Sequence, residues 1–294
     1  MRVLAGVILT AVTVMMTPSG AQADAPPQMR TCLDNATPQA QRPAACSFVI
    51  ANAPPADPKE LARVYFTRGN AYLTLGDYDR AVADFDTITK ANPTASGPFN
   101  SRGYAFLRQK QIDRAITEFD SAIRLNPKDP IAFTNRGDAY REKGRYDRAM
   151  QDYDAAIAIN PKWVNAYFGR GAALQQKASS DFDAFVNEGR FEELAIAEYD
   201  KVLQIAPRSA GALGNRGQLN HALRKYDLAI ADFTQAIEIA PANPAFLRSR
   251  ALTYRMMRRV DLAIADYRSA MALTQDADGR KAIGELLAQL GVTV

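Results

Sequence analysis

Thr134-Asn135-Arg136-Gly137-Asp138-Ala139-Tyr140, followed by Gly144-Arg145-Tyr146-Asp147-Arg148-Ala149 and then by Tyr153 and Pro161, is the stretch from which the rest of the chain can be read. Its alanine, aromatic residue and proline recur in one frame as Ala81, Ala115 and Ala149, Phe85, Phe119 and Tyr153, and Pro93, Pro127 and Pro161, each 34 residues from the last. After an interruption the frame resumes with Ala195, Tyr199 and Pro207, then Ala229, Phe233 and Pro241, and closes with Ala263 and Tyr267, where Gln275 replaces the proline. A 34-residue period is that of stacked helical hairpins, since one hairpin cannot bury its apolar face without a neighbouring copy. Within the hairpin each small or aromatic residue has a task. Gly137 lets the second helix approach, Tyr140 and Tyr146 fill the space between helices, and Gly144 supplies the turn. Ala149 and Tyr153 pack back against Gly137, and Pro161 ends the second helix because it cannot extend the hydrogen-bond ladder.

The same set recurs as Gly69, Tyr72, Gly76, Tyr78, Ala81, Phe85 and Pro93, and it resembles the tetratricopeptide repeat. The resemblance implies an all-α fold, a right-handed superhelical solenoid of antiparallel helix pairs with six hairpins over residues 59–275. The second repeat departs with Phe106, Lys110 and Ile112, and the sixth with Ala251, Arg258 and Val260, all compatible with helices. Ile283, Leu286, Leu287 and Leu290 share one helical face and predict a capping helix within 276–294. Ala44 to Ala53 predicts a helix of a partial hairpin within 24–58, joined to the array through Pro54-Pro55-Ala56-Asp57-Pro58. In the fourth repeat Gly171 to Pro207 takes 36 steps where the neighbours take 24, an insertion at about 175–190. Either Phe182 and Phe185 stand out as a partner contact, or Phe182 or Phe191 fills the usual tyrosine place and the helices are longer. Apolar residues at helical spacing are more often packed than exposed, which favours the second reading.

Met1-Arg2, the apolar run Val3 to Met16, the Pro18-Ser19-Gly20 break and Ala21-Gln22-Ala23 have the three parts of a secretory signal, so residues 1–23 are expected to be cleaved. The run falls short of the about 20 residues that span a bilayer, and no stable membrane span is expected afterwards. Cys32 and Cys46, the only cysteines, then read as one disulfide pinning the N-terminal segment. The formal charge of +4 includes Arg2, and acids and bases are interspersed, which is not a nucleic-acid footprint. Arg255-Met256-Met257-Arg258-Arg259 is short enough to be a solvated helix end.

No glycine-rich phosphate loop, histidine pair or nucleophile beside a base is present, so neither catalysis nor a metal or other cofactor is expected. In the resembled family the ligand lies on the concave face, lined by the first helix of each pair. Matching positions give Asn70, Tyr104, Asn135, Asp138, Arg141, Asn215, Gln218, His221 and Arg255 as a mixed polar groove for a peptide or partner protein. The family's clamp for a C-terminal carboxylate is not reproduced, because only Asn70 and Asn135 fall at such positions. A second ladder pairs Arg68, Arg102, Arg136, Arg170, Arg216 and Arg250 with Asp84, Glu118, Asp152, Glu198, Asp232 and Asp266. Structural ion pairs are the direct reading. Pairing with Arg80, Arg114 or Arg148 on the same helix, or an anion-binding arginine stripe, are the alternatives. The chain resembles exported repeat proteins of the Gram-negative periplasm. An interaction scaffold there is the expected function, with a glycan-binding or accessory role in envelope assembly, associated with the cell wall and using Trp163, as the alternative.

Overall fold

A computed structural model describes residues 27–180 and 189–292. The expected signal, and Phe182 and Phe185 of the insertion, lie outside the described residues. Among those described there are fifteen helices and no strand. The short α1 (Pro27–Leu33) and α2 (Arg42–Asn52) pack together and on α3. Six hairpins follow: α3 (Pro58–Leu75) with α4 (Tyr78–Ala91), α5 (Ser96–Arg108) with α6 (Ile112–Leu125), α7 (Pro130–Glu142) with α8 (Tyr146–Ile159), α9 (Val164–Ser180) with α10 (Arg190–Ile205), α11 (Ala210–Ala222) with α12 (Tyr226–Ile239), and α13 (Pro244–Met256) with α14 (Val260–Leu273). The last helix, α15 (Ala277–Ala288), lies against α14, with Ile283 and Leu287 buried in the terminal core. The helices form two compact units, Met1–Ile159 and Asn160–Val294.

Local chemistry starts and stops these helices. Asp57, Asp129 and Asn243 accept from a first-turn N–H directly ahead of Pro58, Pro130 and Pro244, whose missing N–H is no loss at that position. First helices end in a left-handed residue: Gly76 (φ 81°) and Gly144 (φ 73°), but also Lys110 (φ 65°), Arg224 (φ 59°) and Arg258 (φ 59°). The residue after each returns its N–H to a carbonyl five back, as Asp77 does to Tyr72 and Arg259 to Tyr254, so the turn geometry persists without glycine.

The hairpins close on the glycines named above. A Cβ on Gly69, Gly103, Gly137 or Gly217 would lie 2.7–2.8 Å from the ring of Phe85, Phe119, Tyr153 or Phe233. Those rings are themselves buried. In the fourth hairpin α9 has 17 residues against 13 in α5, α7, α11 and α13, and α10 has 16 against 14 in α12, so part of the insertion is added helix.

The arginine ladder fastens the hairpins. In each one the first-helix arginine grips the second-helix acid: Arg68–Asp84, Arg102–Glu118, Arg136–Asp152, Arg170–Glu198, Arg216–Asp232 and Arg250–Asp266. Arg80 instead lies 3.4 Å from Asp77, and Arg114 and Arg148 bond Gln111 and Gln151. The arginines of the ladder also reach back with Nη1: Arg68 to Ser47, Arg102 to Asp86 and Thr89, Arg136 to Asp120, Arg216 to Asp200, and Arg250 to Thr234. One guanidinium thus ties a hairpin internally and to the helix before it. Burial pushes the Asp84 and Asp152 carboxyls up, while Arg68 and Arg136 pull the other way. These guanidiniums are spent on protein acids, which leaves no anion-binding stripe.

Candidate functional site

The expected groove positions all lie on the first helix of a hairpin, and the structure treats them differently from one hairpin to the next. On α3, Asn70 is half-buried and its side chain makes no hydrogen bond to a described residue. On α5, the Tyr104 hydroxyl accepts from Arg108 Nη1 at 3.1 Å, and its ring packs beside the buried core of the first two hairpins.

On α7 the three named side chains all bond other side chains, Asn135 keeping only its Oδ1 without a partner among the described residues. Asn135 donates through Nδ2 to Asn100 Oδ1 at 3.0 Å, reaching the preceding first helix. Asp138 Oδ1 accepts from the Tyr153 hydroxyl at 2.8 Å and from Arg141 Nη2 at 3.3 Å. Burial pushes the Asp138 carboxyl up, against the stabilising pull of Arg141 and the Tyr153 hydroxyl. Burial works against the Arg141 charge too, yet Asp138 and Tyr153 hold it above its usual range. The cluster is a compact, internally neutralised unit.

On α11 the same positions are less engaged. Asn215 donates through Nδ2 to the Tyr199 hydroxyl at 3.1 Å, leaving its Oδ1 without a partner among the described residues. Gln218, half-buried, makes no hydrogen bond to a described residue. His221 Nδ1 lies 2.9 Å from Thr253 Oγ1 of α13, and its ring tilts against Tyr226 at 5.6 Å between centroids. Burial lowers its pKa from the usual value. On α13, Arg255 donates to Gln289 at 3.2 Å, so the last expected groove position is engaged by the segment that ends α15. Trp163 is half-buried in the turn before α9, with its backbone N–H on Asn160.

One pair escaped the positional reading. Three residues before the key glycine, where other hairpins carry Phe66, Asn100, Thr134 and Phe168, α11 has Gly214. A Cβ there would lie 2.4 Å from Phe246 of α13, so the Phe246 ring takes the space. The signal was a phenylalanine where Val64, Ala132, Ala166 and Ala212 stand in the other repeats.

A tetratricopeptide-repeat profile matches residues 66–130 and 100–162, and a second one residues 210–243. Residues 66–162 and 210–243 are thus tetratricopeptide repeats. Solved structures with the same fold include a tetratricopeptide repeat protein from Parabacteroides merdae ATCC 43184, 16% identical with a TM-score of 0.62 over 86% of this chain and 93% of that one. Pseudomonas aeruginosa pilF is 16% identical with a TM-score of 0.64 over 79% and 98%. YrrB, described as having an unusual peptide-binding site, is 15% identical with a TM-score of 0.51 over 68% and 97%. Such identities establish fold alone. No curated protein matches the sequence. Tetratricopeptide proteins are in general non-enzymatic scaffolds for protein–protein interaction. Among the described residues, no cluster of His, Cys, Asp or Glu could hold a metal, and no helix is long and apolar enough to cross a membrane.

Proposed function

We propose that this tetratricopeptide protein is an exported, non-enzymatic scaffold that captures an extended peptide or a peptide-like segment of a partner protein on its inner helical faces, chiefly along α11. The observation that carries the proposal is the contrast just described. Asn215, Gln218 and His221 keep hydrogen-bonding capacity at three successive groove positions, and α11 carries no charged side chain besides Arg216, which is spent on Asp232 and Asp200. An extended peptide offers uncharged donors and acceptors at regular intervals, and such a row suits it.

Export is supported by the three-part leader and by the setting of Cys32 and Cys46, both fully buried and with Cα atoms 4.8 Å apart, within disulfide range. Alkylation of the chain taken from its native envelope fraction, without reductant, is expected to add no mass; two alkylated cysteines would count against export into an oxidising compartment.

The groove is tested by affinity purification from the native host with the chain unchanged or carrying Asn215→Ala and Gln218→Ala. One stoichiometric partner is expected to be lost on substitution while far-ultraviolet circular dichroism stays the same. Undiminished capture by the double variant contradicts the proposal.

A further inference from the structure

We propose that His221 sets the polarity of the α11 face: its bare Nε2 accepts a hydrogen bond from an N–H of the bound peptide, and protonation of the imidazole abolishes that contact. The inference rests on the groove reading above and adds to it a ligand atom type and a pH dependence.

The argument begins with a hydroxyl. Thr253 is fully buried, and its single hydrogen is directed to the Ser249 carbonyl at 2.9 Å, one helical turn back on α13. His221 Nδ1 lies 2.9 Å from the same oxygen. Both contacts are hydrogen bonds only if the imidazole supplies the second proton, because a hydroxyl has one hydrogen to give and two lone pairs to receive. The hydrogen of neutral His221 therefore sits on Nδ1, and Nε2 is an acceptor with no partner among the described residues.

The ring is held in place from two sides. Thr253 fixes one edge from α13, and Tyr226 of α12 tilts against its face. Burial lowers the imidazole pKa, so the neutral form prevails at pH 7. The charged groups nearest His221 along the chain are Arg216 on α11, Arg224 and Lys225 in the turn that follows, and Asp227 in the first turn of α12, while Arg255 stands two residues after Thr253 on α13. Lys225 pairs with Glu193, and Arg255 bonds Gln289. No carboxylate of α12 or α13 is hydrogen-bonded to the imidazole to hold it protonated.

Protonation leaves the Nδ1 donation to Thr253 intact and changes only Nε2, from acceptor to donor. The helix contact survives while the ligand contact reverses sign. A peptide N–H on Nε2 is therefore bound at neutral pH and released as the pH falls through the imidazole pKa, below the ordinary 6.5.

The chain has one histidine, so a single imidazole reports. The test uses nitrogen-15 chemical shifts of the full chain to assign the tautomer, together with the tightest heptapeptide selected from a phage-displayed library at pH 7.5. Expected are an Nδ1–H tautomer, an Nε2 shift on adding the peptide, and affinity that falls about tenfold or more between pH 7.5 and 5.0. His221→Gln, which keeps an amide oxygen that does not titrate, should bind with a flat pH profile. An Nε2–H tautomer, or the same pH dependence in His221→Gln, overturns the inference and leaves the groove reading standing. Failure to select any peptide that binds the chain overturns both.

Discussion

On α7, Asn135, Asp138 and Arg141 stand two before, one after and four after the key glycine; on α11 those places hold Asn215, Gln218 and His221. The scaffold beneath them is the same. Gly137 faces Tyr153 and Gly217 faces Phe233 at nearly equal distances, and Arg136 and Arg216 each grip two acids. What differs is the use of side-chain polarity. On α7 a carboxylate, a guanidinium and a phenol bond one another, so a ligand would have to compete with an ion pair to be read. On α11 uncharged groups keep unspent acceptors, and a ligand gains bonds without breaking any.

The second helices divide in the same way. The position before the second-helix alanine is Arg80, Arg114 and Arg148 in Met1–Ile159, and Leu194, Leu228 and Leu262 in Asn160–Val294. The three leucines are exposed. One repeat frame therefore fixes the core while leaving these first-helix and second-helix positions to vary.

The largest effect should be common to both units. Arg136→Ala and Arg216→Ala each leave two acids without their cation, and a loss of about 3–5 kcal/mol is expected for breaking such a pair. Urea denaturation checks it. A loss of that size in one unit and none in the other would show that the units are not built alike.

The next effect should separate the units. Asp138→Asn removes the charge that sustains Arg141, with an expected cost of about 1–3 kcal/mol. Gln218→Ala, touching no described partner, should stay within about 0.5 kcal/mol of the parent. Equal costs would mean that Gln218 is held as firmly as Asp138 and would break the comparison.

The hairpins, the terminal helix and the arginine–acid pairing could be read from the chain because each depends on a residue type at a fixed interval. A reading confined to single repeats stops at their borders, although the contacts that cross them also keep one interval, 16 residues. The backward reach of Arg102 to Asp86, or of Arg136 to Asp120, joins residues that no within-repeat pattern links. The left-handed turns at Lys110, Arg224 and Arg258 were hidden because glycine is the usual mark of that conformation. At the site, position alone placed Asp138 and Gln218 together as equals. Only the neighbours, Tyr153 and Arg141 for one and no described partner for the other, distinguish them.

The central claim is that the α11 face, rather than the α7 face, meets the ligand. Photocrosslinking amino acids placed singly at positions 138 and 218 of the full chain in its native host test it side by side. The account predicts a discrete peptide or protein trapped from position 218 and little from 138. Capture from 138 with silence at 218 would contradict it.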